Sequence, residues 1–181
     1  MLIPAAETSK QYFGFDSTTP VILILGGSQG SQTINEAILE ILPELVKSYY
    51  VIHQTGVRNF EEAVRTTKVV LAESKNQDRY RPYETLKPLD LKMAAGASNI
   101  VVSRAGSTIF EIAVWGLPSI IIPIASSNGD HQRKNAFAYA RAGGCIVIEE
   151  NNLRPHVLMS EIEHIMGNKD IYEETRPERA A

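Results

Sequence analysis

Three short stretches hold the residue types that could do chemistry. The first is Leu25-Gly26-Gly27-Ser28-Gln29-Gly30-Ser31, three glycines and two hydroxyls between an apolar run and an amphipathic one. Glycine lets backbone N–H groups close on an anion, and a helix that follows offers unpaired N–H groups and a positive dipole end, worth ~0.3–1 kcal/mol. Two familiar phosphate loops do not fit. A Walker A loop needs Gly-Lys-Ser/Thr, and this stretch has no lysine. A dinucleotide fingerprint wants G-x-G-x-x-G and a carboxylate at the end of the second strand, where this chain has His53-Gln54-Thr55. The plain alternative is a strand-to-helix turn with Ser28 or Ser31 as N-cap.

The second stretch is "SRAGSTIFEIAVWGLP", Ser103 to Pro118. Gly106 permits close backbone approach, and Ser107 and Thr108 can cap a helix or bond a phosphate. The helix that follows reads as apolar nearly all round except for Glu111, and a charge on such a helix needs a partner. Two readings stand. Thr108-x-x-Glu111 fits a capping box. Alternatively, the carboxylate grips the two hydroxyls of a ribose through charge-assisted bonds of roughly 1.5–3 kcal/mol each. Phe110 and Trp115 read as core. The third stretch, "PIASSNGDHQRKNA", passes from a strand through small polar residues to Asp130, a good N-cap, then His131 and Gln132. Neutral donors and acceptors of that kind suit sugar hydroxyls. Metal chemistry is not indicated: His53, His131, His156 and His164 have no ligand spacing. No Gly-x-Ser-x-Gly elbow occurs either.

Apolar runs alternating with helical patterns must position these turns. "VILIL" (Val21 to Leu25) reads as a strand buried on both faces, and Gln32 to Val46 as an amphipathic helix with Ile34, Ile38, Leu42 and Leu45 inward. "YYVIHQTG" is a second strand. A weaker helix follows near Phe60 to Arg65, then a short strand near Val69 to Ala72, and "ESKNQDRYRPYE" reads as irregular. Further along come a short helix at "LDLKMAAGA", a strand at Asn99 to Ser103 and the Glu111 helix, ended by Gly116 and Pro118. Strands at "SIIIPI" and "CIVIEE" and helices at "DHQRKNAFAYARAG" and "RPHVLMSEIEHIMG" complete the chain. Repeated β-α-β units imply an α/β fold, a Rossmann-like parallel sheet with helices on both faces. Ligands then bind beyond the carboxyl ends of the strands at a topological switch point, which selects the turns after Leu25, Ser103 and Ile124. The last residues, "DIYEETRPERAA", are charged and read as frayed.

Composition excludes several classes. With 181 residues and a net charge of −3, the chain lacks the basic excess of a nucleic-acid binder. The one cysteine, Cys145, lies in an apolar run and reads as a small hydrophobe of a reduced, intracellular protein. The amino terminus has no secretory-signal pattern, and no apolar stretch reaches the ~18 residues of a membrane span.

Taken together and in order, "GGSQGSQTIN", "HQTG", "SRAGSTIFEIAVWGLPSIIIP" and "DHQRKNA" closely resemble the carboxyl-terminal half of the MurG-type glycosyltransferases. Those bacterial enzymes add N-acetylglucosamine to the undecaprenyl-pyrophosphoryl-N-acetylmuramyl-pentapeptide carrier, lipid I. The resemblance runs roughly from Pro20 to Leu158. It implies one half of a GT-B fold, whose carboxyl-terminal domain binds UDP-N-acetylglucosamine. By matching position, Ser28 contacts the donor diphosphate, with Gly26, Gly27 and Gly30 forming the turn beside it. Gly106, Ser107 and Thr108 hold phosphate oxygens and Glu111 takes the ribose hydroxyls. His131 and Gln132 bind sugar hydroxyls with Asn135 in support, and Leu86, Pro88 or Leu89 packs near the uracil. No cofactor and no metal is implied.

The implied domain spans 20–167, with 1–19 a linker remnant and 168–181 a tail. Many family members have one more residue between the arginine and the glutamate than Arg104 to Glu111 has here. A one-residue slip turns a helix by about 100°, so either the loop at Ser107 absorbs it or Glu111 is displaced. The expected partners are the donor, an amino-terminal acceptor domain in cis or trans and, through it, a lipid-linked acceptor, but no nucleic acid. The face toward that domain could also drive self-association. The expected location is cytoplasmic, peripheral to the inner face of the cell membrane when joined to that domain. No residue is a convincing general base; His53 ends a strand and could face the cleft. Rival expectations are a subunit of a split transferase, a UDP-sugar 2-epimerase, which "GGSQGS" fits poorly, and a non-catalytic nucleotide-binding or interaction module.

Overall fold

The structure, a computed structural model, describes residues 2–27, 29–124 and 130–168. Among the described residues, six parallel strands form one sheet: β1 (Val21–Leu25), β2 (Tyr50–Gln54), β3 (Tyr80–Tyr83), β4 (Ile100–Arg104), β5 (Ser119–Ile122) and β6 (Ile146–Val147). Their order is β3-β2-β1-β4-β5-β6. The chain winds outward from β1 through β2 to β3, returns across the sheet and winds the other way from β4. The switch point is therefore the gap between β1 and β4, where this topology opens a crevice at the carboxyl ends. Register aligns Leu25 with Gln54 on one side and with Ser103 on the other.

Alternation along the strands divides the core in two. Ile22, Ile24, Val51, Ile100, Val102, Ile120 and Ile122 face a layer made by α2 (Gln32–Ser48), α3 (Phe60–Val70) and α7 (Pro155–Gly167). Leu23, Leu25, Ile52, Val101 and Ile121 face α4 (Pro88–Ala97), α5 (Thr108–Trp115) and α6 (His131–Arg141). Five-residue strands with every residue buried explain the unbroken apolar runs. α2 buries Ile34, Ile38, Leu42 and Leu45 as its spacing predicts, and Ser31 caps it, accepting the Ile34 N–H at 3.3 Å.

Several expectations change. The strand near Val69 to Ala72 does not form. α3 instead continues to Val70, leaving Val69 76 % exposed and Leu71 buried. The third strand lies in the stretch read as irregular, Tyr80–Tyr83, paired to β2 from Val51–Tyr80 to Gln54–Tyr83. It is an edge strand, where Pro82 is tolerated because only one side needs a ladder partner. Residues 1–19, read as a linker, hold α1 (Ala6–Phe13), which docks on α4. Gly96 makes that docking possible, because a side chain there would overlap Ser9 and Pro4. Strand β6 is only two residues long, and Cys145 beside it is half-buried, its thiol pushed up to about 12 by burial. The charged tail expectation, beyond Asn168, lies outside the described residues.

A candidate nucleotide-sugar cleft at the switch point

The register places Leu25, Gln54 and Ser103 side by side at the carboxyl edge of three adjacent strands. They floor a cleft of about 340 Å³, which Gly27, Leu91, Arg104, Gly106, Ser107 and Thr108 complete. Two backbone features meet in it: the glycine turn after β1 and the amino end of α5. No side chain caps α5, because its N-cap residue Ser107 is itself helical at φ −58°, ψ −29°. Among the described residues, the N–H groups of Ser107 and Thr108 therefore keep no partner. Open N–H groups and the dipole both favour an anion there.

Arg104 ends β4 at the cleft wall. Its Nη2 meets Glu150 Oε1 at 2.5 Å, and Thr33 Oγ1 donates to the same oxygen at 3.3 Å. The pair is mostly buried, at 12 % and 19 % side-chain exposure, which fixes the guanidinium in place. Its Nη1 is buried and has no partner among the described residues.

Glu111 is exposed and, among the described residues, has no hydrogen bond or ion pair. The expected capping box is absent, since neither Ser107 nor Thr108 supplies a cap bond. The expectation of a helix buried all round also fails: Phe110 is 66 % and Val114 62 % exposed, while Trp115 is core. One face of α5 covers the sheet and the other is open, so Glu111 needs no internal partner. It stands three residues after Thr108, hence on the same helix face as a cleft residue.

Among the residues expected around a donor, Gly27, Gly106, Ser107 and Thr108 line the cleft. Gly26 lies in the turn with its N–H on Gln54 O, and Gly30 closes the turn by donating to Gly27 O at 3.0 Å. Ser28 lies outside the described residues. Leu86 is buried in the core and its N–H donates to Gln54 Oε1, whereas Pro88 and Leu89 are exposed at the start of α4. His131, Gln132 and Asn135 sit together on the first turns of α6; His131 is exposed, and Gln132 Oε1 accepts the Ile124 N–H at 3.1 Å. Asp130 precedes α6 in the left-handed region, φ 56°, with no side-chain cap bond, so the simple N-cap reading is not realised.

Leu25, Gln54, Leu91, Ser103 and Arg104 complete the lining without having been singled out as donor contacts. Gln54 and Ser103 lay in view as the last residues of strands beside the switch point. His53 does not face the cleft. It is fully buried on the opposite side of the sheet, under α2.

The family model for the glycosyltransferase family 28 C-terminal domain matches residues 21–181. The chain belongs to this family. It is 34 % identical over 169 residues to a Clostridium perfringens UDP-N-acetylglucosamine--N-acetylmuramyl-(pentapeptide) pyrophosphoryl-undecaprenol N-acetylglucosamine transferase, covering 92 % of this chain and 44 % of that protein. Crystalline MurG of Acinetobacter baumannii shares the fold with a TM-score of 0.71 at 22 % identity, over 95 % of this chain and 47 % of that one. The solution structure of ALG13 matches at a TM-score of 0.58 and 14 % identity, over 83 % and 87 %. This family 28 domain thus has a Rossmann-like fold shared with half of MurG, and it spans about half the length of the curated relatives it matches. Among the described residues, no helix is long and apolar enough to cross a membrane.

Proposed function

We propose that this domain binds UDP-N-acetylglucosamine and serves as the donor half of an inverting glycosyltransferase that glycosylates lipid I. The observation that carries the reading is the cleft itself. A glycine turn and an uncapped helix end converge at the switch point of a family 28 domain, beside a fixed arginine. In this reading, residues 20–167 are the donor domain. The turn Gly26, Gly27, Ser28 and Gly30 borders the diphosphate. The N–H groups at Gly106, Ser107 and Thr108 take its oxygens, and Glu111 takes the ribose hydroxyls. His131 and Gln132, with Asn135 behind them, meet the sugar. Leu91 joins Pro88 and Leu89 as an apolar neighbour for the base, and Leu86 supports them from the core.

The acceptor hydroxyl attacks the anomeric carbon, a base takes its proton, and UDP leaves with the bonding electron pair. Charge then grows on the diphosphate, where the amino end of α5 and Arg104 stabilise it more than they do the ground state. Among the described residues, the cleft lining holds no carboxylate or imidazole, and Glu111 and His131 are assigned to binding hydroxyls; in this reading the base belongs to an amino-terminal acceptor domain. That domain also brings the lipid-linked acceptor and the contact with the inner face of the membrane. The likeness to ALG13, whose chain is matched over 87 % of its length, favours a second arrangement in which the acceptor half is a separate subunit.

Calorimetric titration with UDP-N-acetylglucosamine tests this, with UDP, UDP-glucose and NAD for comparison. Saturable binding of the UDP compounds but not NAD is expected. Glu111→Ala should weaken it about 10–100-fold, the loss of one or two charge-assisted bonds. A folded chain that ignores UDP refutes the reading.

A further inference from the structure

The layer between β2, β3 and α2 is apolar except for one polar inlay. His53 is 0 % exposed. Its Nδ1 lies 2.9 Å from the Tyr80 hydroxyl and its Nε2 lies 2.9 Å from Asn35 Oδ1. Asn35 Nδ2 donates onward to the Thr55 carbonyl at 2.9 Å. That last bond decides every other direction. With its amide nitrogen on a carbonyl, Asn35 offers only its oxygen to the imidazole. His53 must then carry its proton on Nε2, and Nδ1 must accept from Tyr80. The chain of donors runs one way, from Tyr80 through His53 and Asn35 to Thr55 O. Burial pushes the imidazole down to about 3, which keeps it neutral; the hydrogen bonds alone select the tautomer.

The far end of the chain reaches the glycine turn. Thr55 is buried, and its N–H donates to Tyr83 O at 2.9 Å. The next residue, Gly56, lies against Gly30 so closely that a Cβ on either would overlap the other segment's backbone. Both glycines have positive φ, 88° and 79°. The position of the Thr55–Gly56 peptide therefore sets where Gly30 can sit, and Gly30 closes the turn whose Gly27 lines the cleft.

We infer that His53 is a positioning residue for the nucleotide cleft, acting through Asn35 and Thr55 to fix Gly30, and with it Gly27, from behind the sheet. The inference rests on the proposed donor site. It assigns to His53 of the "HQTG" stretch a task that neither catalysis nor ligand contact explains.

The test uses the full chain with His53→Leu and His53→Gln. Glutamine retains a donor for Asn35 and an acceptor for Tyr80; leucine has neither. UDP is titrated into each protein well below its unfolding temperature, and amide exchange is followed at Gly30, Gly56 and the core strands. His53→Leu should raise the UDP Kd about tenfold or more, the size of one lost buried hydrogen bond at the turn, and His53→Gln should restore most of it. Exchange at Gly30 and Gly56 should quicken in His53→Leu while β1 and β4 stay protected. If His53→Leu does not fold, the ¹⁵N spectrum of the wild-type imidazole decides. The Nε2–H tautomer, unchanged from pH 5 to 8, is required, and the Nδ1–H tautomer or a titrating ring overturns the inference. A folded His53→Leu that binds UDP as the wild type does also overturns it. Failure of the wild type to bind UDP instead refutes the donor-site reading and leaves the exchange result to judge the turn.

Discussion

At the residue scale, the molecule separates charges that must stay accessible from polar groups that must not. Glu111 is open and unpaired on the outer face of α5, Arg104 is pinned by Glu150, and His53 is sealed in as a neutral ring. The sealed histidine gives stability a pH signature. Its imidazole is lowered from 6.5 to about 3 by burial, so the unfolded chain binds a proton that the folded one refuses. The neutral ring's contribution is complete above pH 6.5 and is lost as pH falls from there toward 3. Asp16, whose carboxyl is held low by the N–H and hydroxyl of Thr19 and by Thr18, adds a second loss at lower pH, below 3.8. Thermal melts between pH 7 and 4 should show a falling Tm in the wild type and a flatter profile in His53→Gln. Equal slopes in the two proteins would mean the ring is not neutral in the fold.

At the element scale, the cleft exists because two loops from different halves of the sheet end side by side. The loop after β1 leans on the loop after β2 through Gly30 and Gly56, and the loop after β4 runs into an uncapped helix. Strain and overlap can be told apart by substitution. Gly14 has φ 70° with open space where a Cβ would go, whereas Gly56 has φ 88° and the backbone of Gly30 in that space. Gly14→Ala should cost about 1 kcal/mol, backbone strain alone. Gly56→Ala should cost about 2–4 kcal/mol by denaturant titration and weaken UDP binding, since something must move. Similar costs for both would show that the loops yield. The sequence showed most elements because strands buried on both faces and one amphipathic helix write strong patterns. It missed β3 because only Tyr80 of its four residues is buried. Pairing with β2, rather than any local preference, makes that segment a strand.

At the scale of the whole molecule, two apolar layers clamp a parallel sheet, and its carboxyl edge carries the groups that suit a nucleotide-sugar. Among the described residues that line the cleft, none is a carboxylate or an imidazole. On the proposed reading, the chain binds donor and needs an acceptor-binding half for transfer. Incubated with UDP-N-acetylglucosamine and a lipid I analogue, it should form glycosylated product only when an acceptor-binding half is supplied in trans or in cis. Turnover by the chain alone would place a base in this domain.

Sequence by itself determined the fold class, the three turns and the family resemblance, because each rests on local pattern: buried apolar runs, glycines and hydroxyls at strand ends, and ordered motifs. Tertiary structure decided the rest. The Arg104–Glu150 pair joins residues 46 apart, and the His53 inlay joins residues 18 and 27 apart. Whether α5 is buried or half-open depends on what packs on it, which turned Phe110 outward and left Glu111 without an internal partner. Such contacts depend on how strands are ordered and aligned across the sheet, and a linear pattern carries no record of that alignment.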